Sequence, residues 1–235
     1  MREKGEKCST PSTLVLIAAL NEELGIEFTL AELKKHVGAA RFLVVDGNSS
    51  DRTVHVAKSF GADVIFQEGK GKGDAIGSAL GYVNEDFDYV VLIDADYTYP
   101  AEYLPKMIAS LEANPQLGMV CGNRFNSHFH TEWMSNMYYI GNRMLALTHN
   151  LLNGVNMRDP LTGLRVIRWE ILKSWQPKSK GFDIEAEMNY YVESEGYGIQ
   201  EIDIEYRPRY GEKKLKIYHG FFILKRMISE ITLQA

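Results

Sequence analysis

Short apolar runs at residues 14–20, 41–46, 63–67 and 89–93 alternate with segments of helical period at 22–37, 51–60 and 72–83. In the second of these segments Val54, Ala57 and Lys58 fall together on one helical face. Consecutive parallel strands need a crossover connection, so the alternation predicts an α/β fold: a mixed, mostly parallel sheet with helices on both faces. In an open sheet of this kind ligands bind beyond the carboxyl ends of the strands. The polar residues that end the runs therefore carry the functional question: Asn21, Asp46, Gln67, Glu68, Asp94 and Asp96.

The second half is less regular. It predicts helices over 100–113, 135–152 and 182–193, and strands over 117–122, 164–168 and 199–206. No repeat, low-complexity tract or Gly/Ser/Pro linker divides the chain. A single domain over 1–235 is expected, with a nucleotide-binding half at 12–98, an acceptor-side half at 99–215 and a C-terminal helix at 216–233. At 235 residues and 45% hydrophobic content, one sizeable core can form. A net charge of -5 argues against a nucleic-acid partner, which favours a basic face. The two cysteines, Cys8 and Cys121, are too few for a disulfide scaffold and suit a reducing, cytoplasmic setting. Arg2, Lys4 and Lys7 precede the run at 14–20, but that run is too short to span a bilayer and no cleavage site follows it.

The sharpest chemical signal is Val90-Val91-Leu92-Ile93-Asp94-Ala95-Asp96, a buried strand delivering two carboxylates. On extended backbone residues i and i+2 share a face, so both carboxylates can converge on one hard cation with phosphate oxygens around it. The plainer alternative is a turn, which Asp also favours. Asp46 ends a second strand and can accept from a nucleobase or ribose, or start a turn; Ser50 and Asp51 read as helix caps. Gly69-Lys70-Gly71-Lys72-Gly73-Asp74-Ala75 is a glycine-spaced loop opening a helix, suited to a diphosphate. It is neither a P-loop nor a dinucleotide fingerprint.

Taken in order, Leu20-Asn21-Glu22-Glu23, Asp46-Gly47-Asn48-Ser49-Ser50-Asp51, Gly71-Lys72-Gly73-Asp74-Ala75, Asp94-Ala95-Asp96, Gly122-Asn123-Arg124-Phe125 and Asp159-Pro160-Leu161-Thr162-Gly163 span nearly the whole chain. In that order they resemble the inverting GT-A glycosyltransferases that include dolichyl-phosphate mannose and glucose synthases. Gly181-Phe182-Asp183-Ile184-Glu185-Ala186-Glu187 is similar to a segment of the archaeal polyprenyl-phosphate hexosyltransferase branch. The resemblance implies a nucleoside-diphosphate sugar donor, UDP-glucose-like favoured, and a dolichyl or polyprenyl phosphate acceptor. It further implies Mg²⁺ or Mn²⁺ at Asp94 and Asp96, and donor binding by Asn21, Glu22, Asp46, Lys72 and Asp94. Thr98 stands where the mannose synthases carry a Gln, which removes the third protein ligand.

For the acceptor phosphate the matched cations are Arg124, Arg143 and Lys214, the last within Arg209-Tyr210-Gly211-Glu212-Lys213-Lys214-Leu215, which resembles a mobile segment of the polyprenyl-phosphate sugar synthases. Lys213 reads as a solvated charge. A phosphate nucleophile is already anionic, so a general base is dispensable; Asp159 is the nominee if one acts, with a turn at Asp159-Pro160 as the alternative. Asp96, Arg124 and Asp159 form the expected catalytic set. Glu185 can meet the sugar, brace an Arg, or lie on an exposed face. His128, His130, His149 and His219 make no metal pattern, and Trp133, Met134, Met137 and Tyr138 read as core or lipid entry.

Ile217, Phe221, Leu224, Ile228 and Ile231 make one helical face near Lys214, Lys216, Lys225 and Arg226. Two readings stand for it, a helix resting in the headgroup plane of the cytoplasmic leaflet and one packed on the sheet. Two rival functions also stand, transfer to a saccharide hydroxyl and a non-enzymatic nucleotide-sugar sensor. A pyrophosphorylase is discounted, because Ala18-Ala19-Leu20-Asn21-Glu22 lacks its glycine-rich, Arg-bearing loop.

Overall fold

The computed structural model describes residues 11–125, 143–148, 150–151, 157–212, 214 and 219–232. Cys8, His128, His130, His149, Trp133, Met134, Met137, Tyr138, Lys213, Lys216 and Ile217 lie outside them, as does the first part of the expected 135–152 helix.

In chain order the described elements are β1 (Thr13–Ala19), α1 (Glu23–Val37), β2 (Arg41–Asp46), α2 (Thr53–Ser59), β3 (Asp63–Phe66), α3 (Lys72–Tyr82), β4 (Tyr89–Asp94) and α4 (Leu104–Ala113). Then follow β5 (Leu117–Asn123), helical residues 143–148 and 150–151, β6 (Arg165–Arg168), α5 (Trp169–Leu172), α6 (Ile184–Ser194), β7 (Gly198–Asp203) and α7 (His219–Thr232). They build a seven-stranded sheet in the order β3-β2-β1-β4-β6-β5-β7. The first four strands in chain order run parallel, whereas β6 is antiparallel to both β4 and β5. This is the mixed sheet that the sequence predicts.

Both faces of the central strands are buried, which is why these strands read as continuous apolar runs rather than alternating ones. Along β1, Val15 and Ile17 join Ile26, Leu30 and Leu33 of α1 and Leu104, Met107 and Leu111 of α4. Leu14 and Leu16 point the other way, to Ala75, Ile76 and Ala79 of α3 and Met188 and Val192 of α6. Each fully buried aliphatic side chain contributes about 1.5–3 kcal/mol, so a site at the strand ends rests on a well-packed floor. Val120 and Leu164 of the second half enter the same cluster as Val15, so the halves share packing.

The final helix corrects the single apolar face expected for it. α7 buries Ile223 and Met227 against Ala186 of α6 and against Leu145. Phe221, Phe222 and Ile228 remain exposed, as do Met144, Leu147 and Leu151. The helix has two apolar faces, one packed and one open.

Candidate active site

β4 is buried until Asp94, where the chain turns through Ala95, Asp96 and Tyr97. Tyr97 takes a left-handed backbone (φ 65), an uncommon state for a bulky residue. Neighbouring groups hold it there: its N–H donates to Thr29 Oγ1 at 3.1 Å, and its ring lies 5.4 Å from Phe28 and 5.8 Å from Tyr210. The turn aims Asp96 inward. Asp96 Oδ1 accepts from the Thr98 hydroxyl at 2.6 Å and amide at 3.2 Å, and Oδ2 faces Arg209 Nη2 at 3.1 Å. Burial, and then the negative charge of Asp94, push the Asp96 carboxyl above its ordinary range.

Asp94 accepts from Lys72 Nζ at 2.6 Å, and the same ammonium lies 2.7 Å from Glu185 Oε1. Burial disfavours the Lys72 ammonium, but the carboxylates of Asp94 and Glu185 outweigh it and hold the group charged well above the usual lysine range. Backbone without side chains lets these groups approach. A Cβ on Gly163 would stand 2.5 Å from Asp94 Oδ2, and one on Gly25 would stand 2.7 Å from the Ala95 carbonyl.

A cleft of about 450 Å³ opens at the carboxyl ends of β1, β2 and β4, where the strand topology places ligands. Of the residues singled out from sequence, Glu22, Lys72, Asp94, Asp96, Arg124 and Lys214 all line it. Arg124 donates through Nε and Nη2 to the two oxygens of Asp159 at 2.7 and 2.8 Å, and through its amide at 3.0 Å. Asp159 is fully buried, and its own N–H donates to Glu201 Oε1 at 2.7 Å.

Four expected residues do not line the cleft. Asp159 stands behind Arg124. Asp46 is fully buried, and Ser49 takes both its oxygens through amide and hydroxyl at 2.8 and 2.6 Å; Gly47 and Gln67 line the cleft beside it. Asn21 ties two loops together, donating its N–H to Ser49 Oγ and accepting from the Ser50 amide, both at 2.8 Å. Arg143 is exposed, its guanidinium 6.0 Å from the Phe125 ring. The glycine loop lines the cleft through Gly69, Lys70, Gly71 and Lys72, while the next two amides of α3 turn away from it, Gly73 N–H donating to the Gly181 carbonyl and Asp74 N–H to that of Lys180.

Three residues enter the site without an assigned role from sequence. Arg209 bridges Glu22 and Asp96, and its signal was its place in the Arg209–Gly211–Lys214 segment. Glu185 is buried in the cleft wall, which excludes the exposed-face reading, and it braces a lysine, Lys72, rather than an arginine. Tyr99 is buried in the wall of the cleft, and its hydroxyl accepts the Gly163 N–H at 2.7 Å.

A mixed sheet of this order, ending its central strand in paired carboxylates, is the GT-A glycosyltransferase fold. A crystal structure of glucosyl-3-phosphoglycerate synthase from Mycobacterium tuberculosis, in complex with Mn²⁺, UDP and glucosyl-3-phosphoglycerate, superposes with a TM-score of 0.75 at 21% identity, covering 94% of this chain and 80% of that one. Residues 14–175 match Glycosyl transferase family 2, and the chain belongs to that family. Two relatives come from Haloferax volcanii. A dolichyl-phosphate hexose transferase is 34% identical over 94% of this chain and 93% of its own length. Glycosyltransferase AglJ is 31% identical over 85% of this chain and 65% of its own length.

Proposed function

We propose that this protein is a metal-dependent inverting hexosyltransferase that moves a hexose from a nucleoside-diphosphate sugar, UDP-glucose favoured, to dolichyl or polyprenyl phosphate. The observation that carries this reading is the charge layout of one cleft: Asp94 and Asp96 at the end of β4, faced by Arg124, Arg209 and Lys214. A relative of nearly equal length is named for dolichyl-phosphate hexose transfer, and structures of the same fold were obtained with UDP, UDP-glucose, Mn²⁺ or Mg²⁺. Both support it. We take the whole chain as one domain.

The carboxylate oxygens of Asp94 and Asp96 suit Mg²⁺ or Mn²⁺, and Asp96 already faces a cation in Arg209. Asp94 and Asp96 would hold the ion together with oxygens of the donor phosphates and water, since a hard cation takes oxygen ligands of all these kinds. When bound, the metal stabilises charge developing on the leaving diphosphate. Lys72 orients Asp94 from below, and Gly47 and Gln67 leave room for the nucleoside. Arg124 presents its guanidinium to the acceptor phosphate, and Asp159 serves to hold it there. The attacking phosphate oxygen is anionic near neutral pH, so no protein base is required and Asp159 need not exchange a proton.

The test is partition of radiolabelled sugar from UDP-glucose, UDP-N-acetylglucosamine or GDP-mannose into organic solvent, with and without polyprenyl phosphate. Label in the organic phase only with the lipid phosphate and metal is the expected result. Transfer to a saccharide with none to lipid would overturn the acceptor assignment, and donor binding without any turnover would favour a sensor.

We also place the protein at the cytoplasmic face of a membrane, as a peripheral partner. Among the described residues no helix is long and apolar enough to cross a bilayer. The open face of α7 exposes Phe221, Phe222 and Ile228, and Met144, Leu147 and Leu151 are exposed as well, while Ile223 of the same helix lines the cleft. That arrangement lets a polyprenyl tail stay in lipid while its phosphate enters the site. Wild-type protein should float with anionic liposomes, and Phe221→Glu with Leu224→Glu should release it with its melting curve intact, because Ile223 and Met227 carry the packing. Wild-type protein that stays at the bottom of the gradient would count against the interfacial role.

A further inference from the structure

Residues 207–212 cross the mouth of the cleft as a strap. Arg207 N–H donates to the Thr98 carbonyl at 3.0 Å and Tyr210 N–H to the Asp96 carbonyl at 3.1 Å. The Tyr210 ring stacks on Phe28 with centroids 5.2 Å apart. Three groups then converge on Glu22, at the start of α1. Arg209 Nη2 lies 2.7 Å from Glu22 Oε1, and Lys214 Nζ lies 3.1 Å from the same oxygen. Gly211, with φ 87, covers the other oxygen so closely that a Cβ would stand 3.0 Å from Oε2. Glu22 is 6% exposed, and its Oε2 has no hydrogen-bond partner among the described residues. A carboxylate so buried is costly unless cations hold it. Arg209 Nη2 also lies 3.1 Å from Asp96 Oδ2, so one guanidinium nitrogen joins two carboxylates from different loops.

We propose that Glu22 is a positioning residue that docks Arg209 and Lys214 over the cleft, and that Arg209 there occupies the side of Asp96 that a divalent cation would take. This rests on the metal-dependent reading above and adds its order of events. Two cations cannot share Asp96 Oδ2 without strong repulsion at such short range. Arg209 therefore leaves Asp96 as metal and donor load, and the strap frees Arg209 and Lys214 to meet the acceptor phosphate, which binds second. Coupling is reciprocal, so the factor by which bound metal weakens the hold of Arg209 on Asp96 is the factor by which that hold weakens metal binding.

The test measures free Mn²⁺ by electron paramagnetic resonance during titration of wild-type protein, Arg209→Ala and Arg209→Gln, with and without UDP. Both variants should bind Mn²⁺ alone roughly tenfold more tightly than wild type. In the wild type, Mn²⁺ with UDP should speed hydrogen exchange at the Tyr210 amide. Glu22→Gln loosens the docked cations, so it should lower the KM for polyprenyl phosphate several-fold relative to the KM for donor. Unchanged or weaker Mn²⁺ binding in both Arg209 variants overturns the proposal. So does tighter binding with the Tyr210 amide unmoved, since a fixed arginine repels metal without leaving, or an equal effect of Glu22→Gln on both KM values. Wild-type protein that binds no Mn²⁺ even with UDP overturns the metal reading itself.

Discussion

Asp96→Asn is expected to lower sugar transfer by about a thousandfold or more, roughly 4 kcal/mol of transition-state stabilisation, while the fold survives. The substitution removes charge and little else. The amide oxygen of Asn can still accept from the Thr98 hydroxyl and amide that now meet Asp96 Oδ1. Burial and the nearby Asp94 both disfavour the charge on this carboxyl, and Arg209 keeps Glu22 as a partner, so an uncharged amide in its place costs the folded state little. Product formation from labelled donor, measured beside a thermal melt, decides the matter. Turnover near the wild-type rate with a normal melt would sink the role assigned to Asp96.

Asp159→Ala should damage the fold instead, by about 3–5 kcal/mol, because removing one partner of a buried ion pair strands the other charge. Asp159 is wholly enclosed, and the guanidinium of Arg124 is held by both its oxygens. Burial disfavours the arginine charge, and Asp159 outweighs that burial to keep the group charged. Adding Arg124→Met to the alanine variant should restore part of the lost stability, since no uncompensated charge then remains; a double-mutant cycle in denaturant reads the coupling. A single variant that loses under 1 kcal/mol, or a double variant as unstable as the sum of the singles, would contradict the brace.

The nucleotide-side strands and helices were legible almost residue by residue. β2 spans Arg41–Asp46, the full apolar run, because a strand buried on both faces leaves a continuous signature bounded by polar residues. The short helix Trp169–Leu172 was invisible, since four residues are too few to display a period. The strand expected over 199–206 ends at Asp203, where its pairing partner β5 also ends, at Asn123; pairing, not local propensity, sets that boundary.

The site divides in the same way. Asp94 and Asp96 could be paired from sequence because only one residue separates them, although β4 ends at Asp94 and the turn after it is what brings Asp96 inward. The Arg124–Asp159 pair spans 35 residues, and Lys72 meets Glu185 only because α3 and α6 flank one face of the sheet. The depth of Asp46 depends on Ser49 folding back over it, a local geometry that the letters Asp-Gly-Asn-Ser do not specify. In α7 the sequence displays the apolar stripe with the strongest spacing, yet Ile223 and Met227 are the residues that pack. Amphipathicity tells where apolar groups lie but not which surface a neighbour covers.

The bare backbone around β4 has a consequence for how substitutions should be read. Gly25 and Gly163 carry no functional group, yet any side chain at either would press on the Ala95 carbonyl or on Asp94 itself. In a saturation scan scored by transfer, both positions should be as intolerant as the carboxylates, and free acceptance of alanine at either would show that the loop can yield. Intolerance at such a place measures room, not reactivity: part of what makes this cleft specific is written as the absence of atoms.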